Sequence, residues 1–345
     1  MCSKSVKKSL LLINNAYPTI KHPKRGGYIK SIESCLIDAN LEVDRVVLIS
    51  EKKSIFNYIE FYMRLLFYNY KKYEYVYINH FPHLFIPLIF RFSSMKNIII
   101  NFHGGDIVHT NRYKKILNKI SYFFIPSKGI FIVPSKYFKG IVLTEIPALQ
   151  NRTFHVSPSG GVDLNIFKPL SIEKEIFSTI NIGFASGFDI NKGIEDLIIL
   201  IECLNASKFN FHIIDYGKAR DTYINQLKDL GNVFLYDMFE KDKMPEFYTK
   251  IDVLFFPSKS ESLGLVAIES MSCGVPVIGP DDFALKNIIK NGVSGEKYNP
   301  RIKRDFINAM DKFLVNKSNY KTRDFVESLY SKKIVSEQFK TLFNS

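Results

Sequence analysis

Short apolar runs and amphipathic stretches take turns along the whole chain. The apolar runs at Leu10–Asn14, Val43–Ile49, Tyr75–Asn79, Asn97–Phe102, Ile130–Val133 and Thr153–Ser157 predict buried strands. Between them, Tyr28–Ala39, Ile55–Asn69, Leu84–Phe92, Tyr113–Phe124 and Ser135–Leu143 read as helices. The second half repeats the scheme, with strands at Ile180–Ala185, Phe209–Asp215, Val233–Tyr236, Val253–Phe256 and Pro276–Ile278. Its helices are expected at Gly193–Leu204, Ala219–Leu230, Pro245–Lys250, Leu265–Ser272 and Ala284–Lys290. Alternation of this kind predicts an α/β protein with doubly wound parallel sheets covered on both faces. Glycine and proline punctuate the stretch from Gly160 to Pro169, which divides the chain into domains over 1–165 and 166–325 and a closing segment over 326–345. Ligands of doubly wound domains lie outside the carboxyl ends of the strands, so two such domains facing each other would form a deep cleft.

Charge sharpens this division. The chain carries a formal net charge of +13 over 345 residues. Residues 1–170 hold 24 Lys and Arg against 10 Asp and Glu, a net +14, and the remainder is close to neutral at −1. A basic first half suggests an anionic membrane surface or an acidic acceptor as its partner. Nucleic acid is not expected, because the basic residues are spread out and no nucleic-acid-binding signature accompanies them. The four cysteines are scattered without a C-x-x-C pair, which reads as reduced thiols in a cytoplasmic protein. The apolar run after Lys7-Lys8 is too short for a signal peptide, and no run reaches the ~18 residues of a membrane span. The segment Phe56–Tyr68 is aromatic on nearly every side and flanked by Lys52, Lys53, Lys71 and Lys72. It fits either a core-packed helix or a helix at a membrane interface.

Candidate chemistry concentrates in the second half. A buried strand ends at Pro257, a polar loop with Glu261, Ser262 and Leu263 follows, and a helix begins near Gly264. A helix N-terminus offers free N–H groups and partial positive charge, which suits a diphosphate. Glu269 falls about one turn inside that helix, placed to accept both hydroxyls of a ribose. Glu261 falls in the loop before it. Asn191-Lys192-Gly193 opens another helix, and Asn101-Phe102-His103-Gly104-Gly105-Asp106 closes a strand. Near the start, Pro23-Lys24-Arg25-Gly26-Gly27-Tyr28 joins the first strand to the first helix.

Glu261 and Glu269, eight apart and followed by Gly274-Val275-Pro276-Val277-Ile278, resemble the signature of glycosyltransferase family 4. The resemblance implies the GT-B fold and retaining transfer from a nucleoside-diphosphate sugar. It assigns Glu269 to the ribose, Lys192 to the diphosphate, and Glu261 with the Ser262–Gly264 backbone to the sugar. His103 would contact the donor sugar near the reacting centre, and Gly27 would lie under the donor. Gly26, Gly104 and Asp106 would serve the acceptor side or a hinge. Lys24 and Arg25 could touch an acceptor phosphate or be solvated. Ser159-Gly160-Gly161-Val162-Asp163 resembles the interdomain segment, and the amphipathic stretch Tyr330 to Phe343 the last helix that crosses back to the first domain. One departure stands out: many members carry an arginine five positions before the lysine, where this chain has Gly187.

The function implied is hexosyl transfer to a glycan or lipid-linked acceptor in bacterial surface polysaccharide synthesis, at the cytoplasmic face of a membrane. No cofactor and no metal are expected: no Asp-x-Asp occurs, and His and Cys spacings suggest no zinc site. A nucleotide-sugar epimerase on the same scaffold and a non-catalytic binding module are the rival readings.

Overall fold

The computed structural model describes residues 7–19, 26–49, 54–108, 111–126, 128–170 and 179–344. Two units emerge, Met1–Gly161 with Lys332–Ser345, and Val162–Ser331. Pro23, Lys24 and Arg25 lie outside the described residues.

In the first unit, β1 (Ser9–Asn14), α1 (Gly27–Asp38), β2 (Glu42–Val47), α2 (Ile55–Phe67), β3 (Tyr75–Asn79) and α3 (Phe81–Ile89) come in turn. They are followed by β4 (Asn97–Asn101), a short α4 (Gly104–Ile107), α5 (Arg112–Tyr122), β5 (Ile130–Val133), α6 (Lys136–Glu145) and β6 (Phe154–Val156). All six strands are parallel, in the order β2-β1-β3-β4-β5-β6. Alternate side chains of β1 feed two cores, as the period of a strand demands. Leu11 and Ile13 join Phe61, Leu65, Leu84, Leu88 and Phe138 on one face. Leu10 and Leu12 join Ile29 and Leu36 on the other.

The second unit runs β7 (Ile180–Phe184), α7 (Ile194–Cys203), β8 (Phe209–Ile214), α8 (Arg220–Tyr223), β9 (Val233–Tyr236), α9 (Met244–Thr249) and β10 (Val253–Phe255). Then come α10 (Leu265–Ser272), β11 (Val277–Pro280), α11 (Leu285–Ile288), β12 (Gly295–Tyr298), α12 (Asp305–Asn316) and α13 (Thr322–Tyr330). Its strands are again all parallel, in the order β12-β11-β10-β7-β8-β9. The last helix, α14 (Lys332–Asn344), belongs to the first unit, where Val335, Phe339 and Phe343 complete the core around Leu10 and Leu12.

The strand orders locate the crevices. Strand order reverses between β1 and β3 in the first sheet, and between β7 and β10 in the second. Loops leaving the carboxyl ends of the two strands at such a point diverge to opposite faces and leave room for a ligand.

The structure corrects several element expectations. The expected helix at Ala219–Leu230 is a four-residue helix followed by a 3-10 turn at Ile224–Gln226. Its run Thr222-Tyr223-Ile224-Asn225 has weak helix propensity throughout. α3 begins at Phe81, ahead of the expected Leu84, because Pro82 sits in the first helical turn, where a missing N–H costs nothing. β12, α12 and α13 lie in a stretch for which the sequence reading predicted no element. α12 nonetheless buries Phe306, Ala309, Met310 and Phe313, an ordinary helical spacing.

Candidate functional site

At the reversal point of the second sheet, the loops after β7 and β10 meet. Lys259 N donates to Asn191 O at 2.8 Å and ties the two loops together. Asp189 caps the turn by accepting from Asn191 N at 2.8 Å. Gly193 closes that turn at φ +78°, and a Cβ there would stand 2.3 Å from the Pro257 carbonyl oxygen, so only glycine allows this approach. The approach delivers Lys192 to Glu261. The Lys192 ammonium sits 2.5 Å from Glu261 Oε1, which also accepts from Ser258 Oγ at 2.9 Å. Lys192 is half-exposed and Glu261 mostly covered, so the pair faces solvent with its cation.

Gly264, in the left-handed conformation, starts α10. Leu263 before it is buried, leaving the loop backbone and Ser262 as the parts open to a ligand. On α10, burial pushes the Glu269 carboxyl up from its usual 4.5 to about 7, with Lys241 pulling the other way. A ligand that donates hydrogen bonds to the carboxylate would draw this group toward its ionised form and bind better as pH rises. A recess of about 430 Å³ nearby is lined by Ser258, Asp282, Tyr298 and Arg304, but by none of Lys192, Glu261 or Glu269. The charged groups, not that recess, mark the candidate site.

Gly187 explains the missing arginine. It adopts φ +71°, and a Cβ would meet the Tyr216 carbonyl oxygen at 2.7 Å and the Tyr216 ring at 2.8 Å. No side chain fits there without moving the β8 loop. Arg220, four residues beyond Tyr216, donates from Nε and Nη2 to the two carboxylate oxygens of Asp215 at 2.6 and 2.7 Å.

The first unit gathers a different cluster. β3 and β4 are paired with Asn79 opposite Asn101, so the residues that follow them emerge side by side. His103 is buried; its Nε2 donates to Asn79 Oδ1 at 3.0 Å, an oxygen that also accepts from Asn101 at 3.1 Å. Its ring lies 4.7 Å from that of Tyr28 and 4.8 Å from that of His80. Asp106, fully buried, accepts His103 N–H at 2.8 Å through Oδ2 and pairs with His80 Nδ1 at 2.7 Å through Oδ1. Tyr28 hydrogen-bonds the other nitrogen of His80.

Charge is distributed unevenly in this cluster. Burial alone would lower His80, but the Asp106 carboxylate outweighs it and holds the imidazole above its ordinary value. Burial alone would raise Asp106, but His80 wins and keeps it low. His103 is pushed down to about 3, first by burial and then by the neighbouring His80. The two shifts favour a His80–Asp106 ion pair, beside a His103 that stays neutral.

The sequence-predicted residues therefore fall into two groups. Lys192, Glu261, Ser262, Leu263, Gly264 and Glu269 share the β7–β10 region of the second unit. Gly26 and Gly27 lead into Tyr28, which with His103, Gly104 and Asp106 forms the first unit's cluster. Sequence reasoning missed His80, Asn79 and Tyr28. The available signal was a histidine directly after a predicted strand; the structure adds that it sits in a left-handed conformation (φ 54°) that non-glycine residues seldom adopt.

Residues 173–328 match the family described as glycosyl transferases group 1. A protein of Klebsiella pneumoniae, described as an uncharacterized 41.2 kDa protein in the cps region, is 26% identical over 69% of this chain and 68% of its own. Among solved structures, a sucrose-phosphate synthase from Thermosynechococcus elongatus superimposes with a TM-score of 0.77, at 17% identity, over 98% of both chains. HepE of Anabaena, in complex with UDP and glucose, superimposes at 0.69 and 15% identity over 99% of this chain and 100% of its own. The chain thus has two parallel six-stranded sheets of GT-B type, and its residues 173–328 are similar to the glycosyl transferases group 1.

Proposed function

We propose that the chain transfers a hexose-type sugar from a nucleoside-diphosphate sugar to a glycan or lipid-linked acceptor, with retention of anomeric configuration, in bacterial surface polysaccharide synthesis. The observation that carries this reading is the convergence of Lys192 and Ser258 on Glu261, directly before the helix that bears Glu269. In the proposed complex, Glu269 accepts the ribose hydroxyls, and its carboxyl ionises as it does so. Lys192 turns its ammonium to the diphosphate while the α10 N-terminus offers N–H groups to the same anion. Glu261, relieved of part of that ion pair, accepts hydrogen bonds from the sugar. Neutral His103 keeps the sugar-facing role that the family resemblance gives it, and the departing diphosphate takes the acceptor proton. Positioning and electrostatic support of the leaving group supply the rate, and no metal is assigned a role.

Two comparisons support the substrate classes: HepE holds UDP and glucose, and the Klebsiella relative lies in a cps region. Among the described residues no helix is long and apolar enough to cross a membrane. We place the enzyme in the cytoplasm, peripheral to the inner membrane. Thermal melting with UDP, GDP and ADP, then mass spectrometry of products from a donor panel with lipid-linked acceptors, tests the reading. A raised melting temperature with one nucleotide and a product heavier by one hexose are expected. Stability unchanged by every nucleotide, with no transfer from any donor, overturns it.

A further inference from the structure

α5 is built inside out. Its buried positions are Asn118 and Ser121, both polar. Its apolar residues face water: Tyr113 is 83% exposed, Phe123 just past its end is 87% exposed, and Ile116 and Ile120 are exposed as well. Soluble helices turn the opposite way, with the apolar stripe inward. The polar face has its own task. Asn118 Nδ2 and the Tyr122 hydroxyl both donate to the Asp106 carbonyl oxygen, at 2.5 and 2.8 Å. The inner face of α5 therefore holds the loop that carries His103, and the apolar face is left at the surface.

The surroundings have the same character. Arg112, Lys114, Lys115 and Lys119 are interleaved with the apolar residues, and α5 carries no acid. α2 and α5 both pack on α3, so the three form one layer. Its outward side also bears Phe56, Ile59, Met63 and Phe67 of α2, and Phe90 directly after α3, all exposed. Residues 54–128 contain ten Lys and Arg against three Asp and Glu, and one of those acids, Asp106, is buried. A groove of about 490 Å³ adjoins the end of α5, lined by Phe123, Ile125, Ile146 and Leu149 with Lys119 and Arg152.

We propose that α5, with the outward sides of α2 and α3, docks on an anionic lipid bilayer. Apolar residues interleaved with cations match the headgroup boundary, where acyl chains and extended negative charge are offered together. A second copy of the chain would set like charge against like. The docked geometry brings the His103 loop within one helix diameter, ~10 Å, of the lipid surface. On the transferase reading proposed above, on which this one step rests, an acceptor anchored in the bilayer then enters from the α5 side.

The test is co-sedimentation with vesicles of 30% phosphatidylglycerol in phosphatidylcholine, against vesicles of phosphatidylcholine alone. Full-length protein is expected to bind the anionic vesicles and to release as salt is raised. Combined Ile116→Ser, Ile120→Ser and Phe123→Ser substitutions are expected to weaken binding at least tenfold. These positions are exposed, so the melting temperature and nucleotide affinity stay as in the parent. Lys114→Glu with Lys115→Glu is expected to weaken it comparably. Absence of binding to anionic vesicles, or binding indifferent to both sets of substitutions, overturns the proposal. So does concentration-dependent self-association that the serine substitutions abolish, which would give the surface to a second copy. Nucleotide affinity measured without vesicles keeps the two readings apart. Its loss would sink the donor assignment alone, and lost vesicle binding with intact nucleotide affinity would sink the docking surface alone.

Discussion

The two units share a plan and treat charge in opposite ways. Both are six-stranded parallel sheets, and both place polar side chains on loops leaving the carboxyl ends of adjacent strands. In the first unit the charges are internal: His80 and Asp106 neutralise each other under cover, and His103 is forced neutral beside them. In the second, Lys192 remains half-exposed and Glu269 has no comparable buried cation to hold its charge. The first arrangement is complete without a ligand. The second spends its electrostatics on something that has yet to bind. Stability and function should therefore separate between the units.

The largest effect expected from this contrast is on stability. His80→Phe leaves Asp106 buried without its cation and should cost roughly 3–5 kcal/mol, read from denaturant unfolding. If it costs less than about 1 kcal/mol, the ion pair is not what holds the loop. Next come the acids of the second unit. Glu261→Ala and Glu269→Ala should each lower transfer about a hundredfold or more with little change in melting temperature, measured as initial rates of product formation. Full activity of either variant would end the donor-site assignment.

The pH responses have opposite signs. For Glu269 the folded value exceeds the unfolded one, so the native state holds more protons between pH 4.5 and about 7, and stability falls as pH rises through that window. Asp106 does the reverse. Its low folded value contributes stability above its unfolded value of 3.8, lost as pH drops further, while raised His80 contributes below 6.5 and loses its share as pH climbs through its folded value. Affinity for a nucleotide sugar should rise about tenfold between pH 6 and 8, as Glu269 ionises with a midpoint near 7. Calorimetry on Glu269→Gln should give a flat profile; an unchanged slope would detach the titration from Glu269. The smallest effect belongs to Lys192→Met, which should alter stability by less than about 1 kcal/mol because its ion pair is open to water. Its transfer rate should nevertheless collapse.

Much of this was legible in the sequence. Alternating apolar runs report parallel strands directly, because both faces of such strands are buried, and the Glu261–Glu269 spacing is local enough to survive as a motif. Lys192 and Glu261 are 69 positions apart, yet the family pattern joins them, and the structure brings them into contact. His80 was illegible for a physical reason: its importance depends on β3 lying beside β4, and periodicity says nothing about neighbours in a sheet. The inversion of α5 was hidden as well. A helical period reads the same whether the apolar stripe faces in or out, and only the demand of the Asp106 carbonyl for Asn118 and Tyr122 fixes the answer. The broken helix after Arg220 shows the limit of apolar spacing where local propensity is poor.

α14 imposes an order of events on the newborn chain. The first unit lacks Val335, Phe339 and Phe343 until Lys332–Asn344 has been made. Until then, the side of β1 bearing Leu10 and Leu12 has only part of its cover, from Ile29 and Leu36, while all of Val162–Ser331 emerges and can fold. The first unit is thus completed only after the second has been made, and a message truncated before Lys332 would leave it with an open seam.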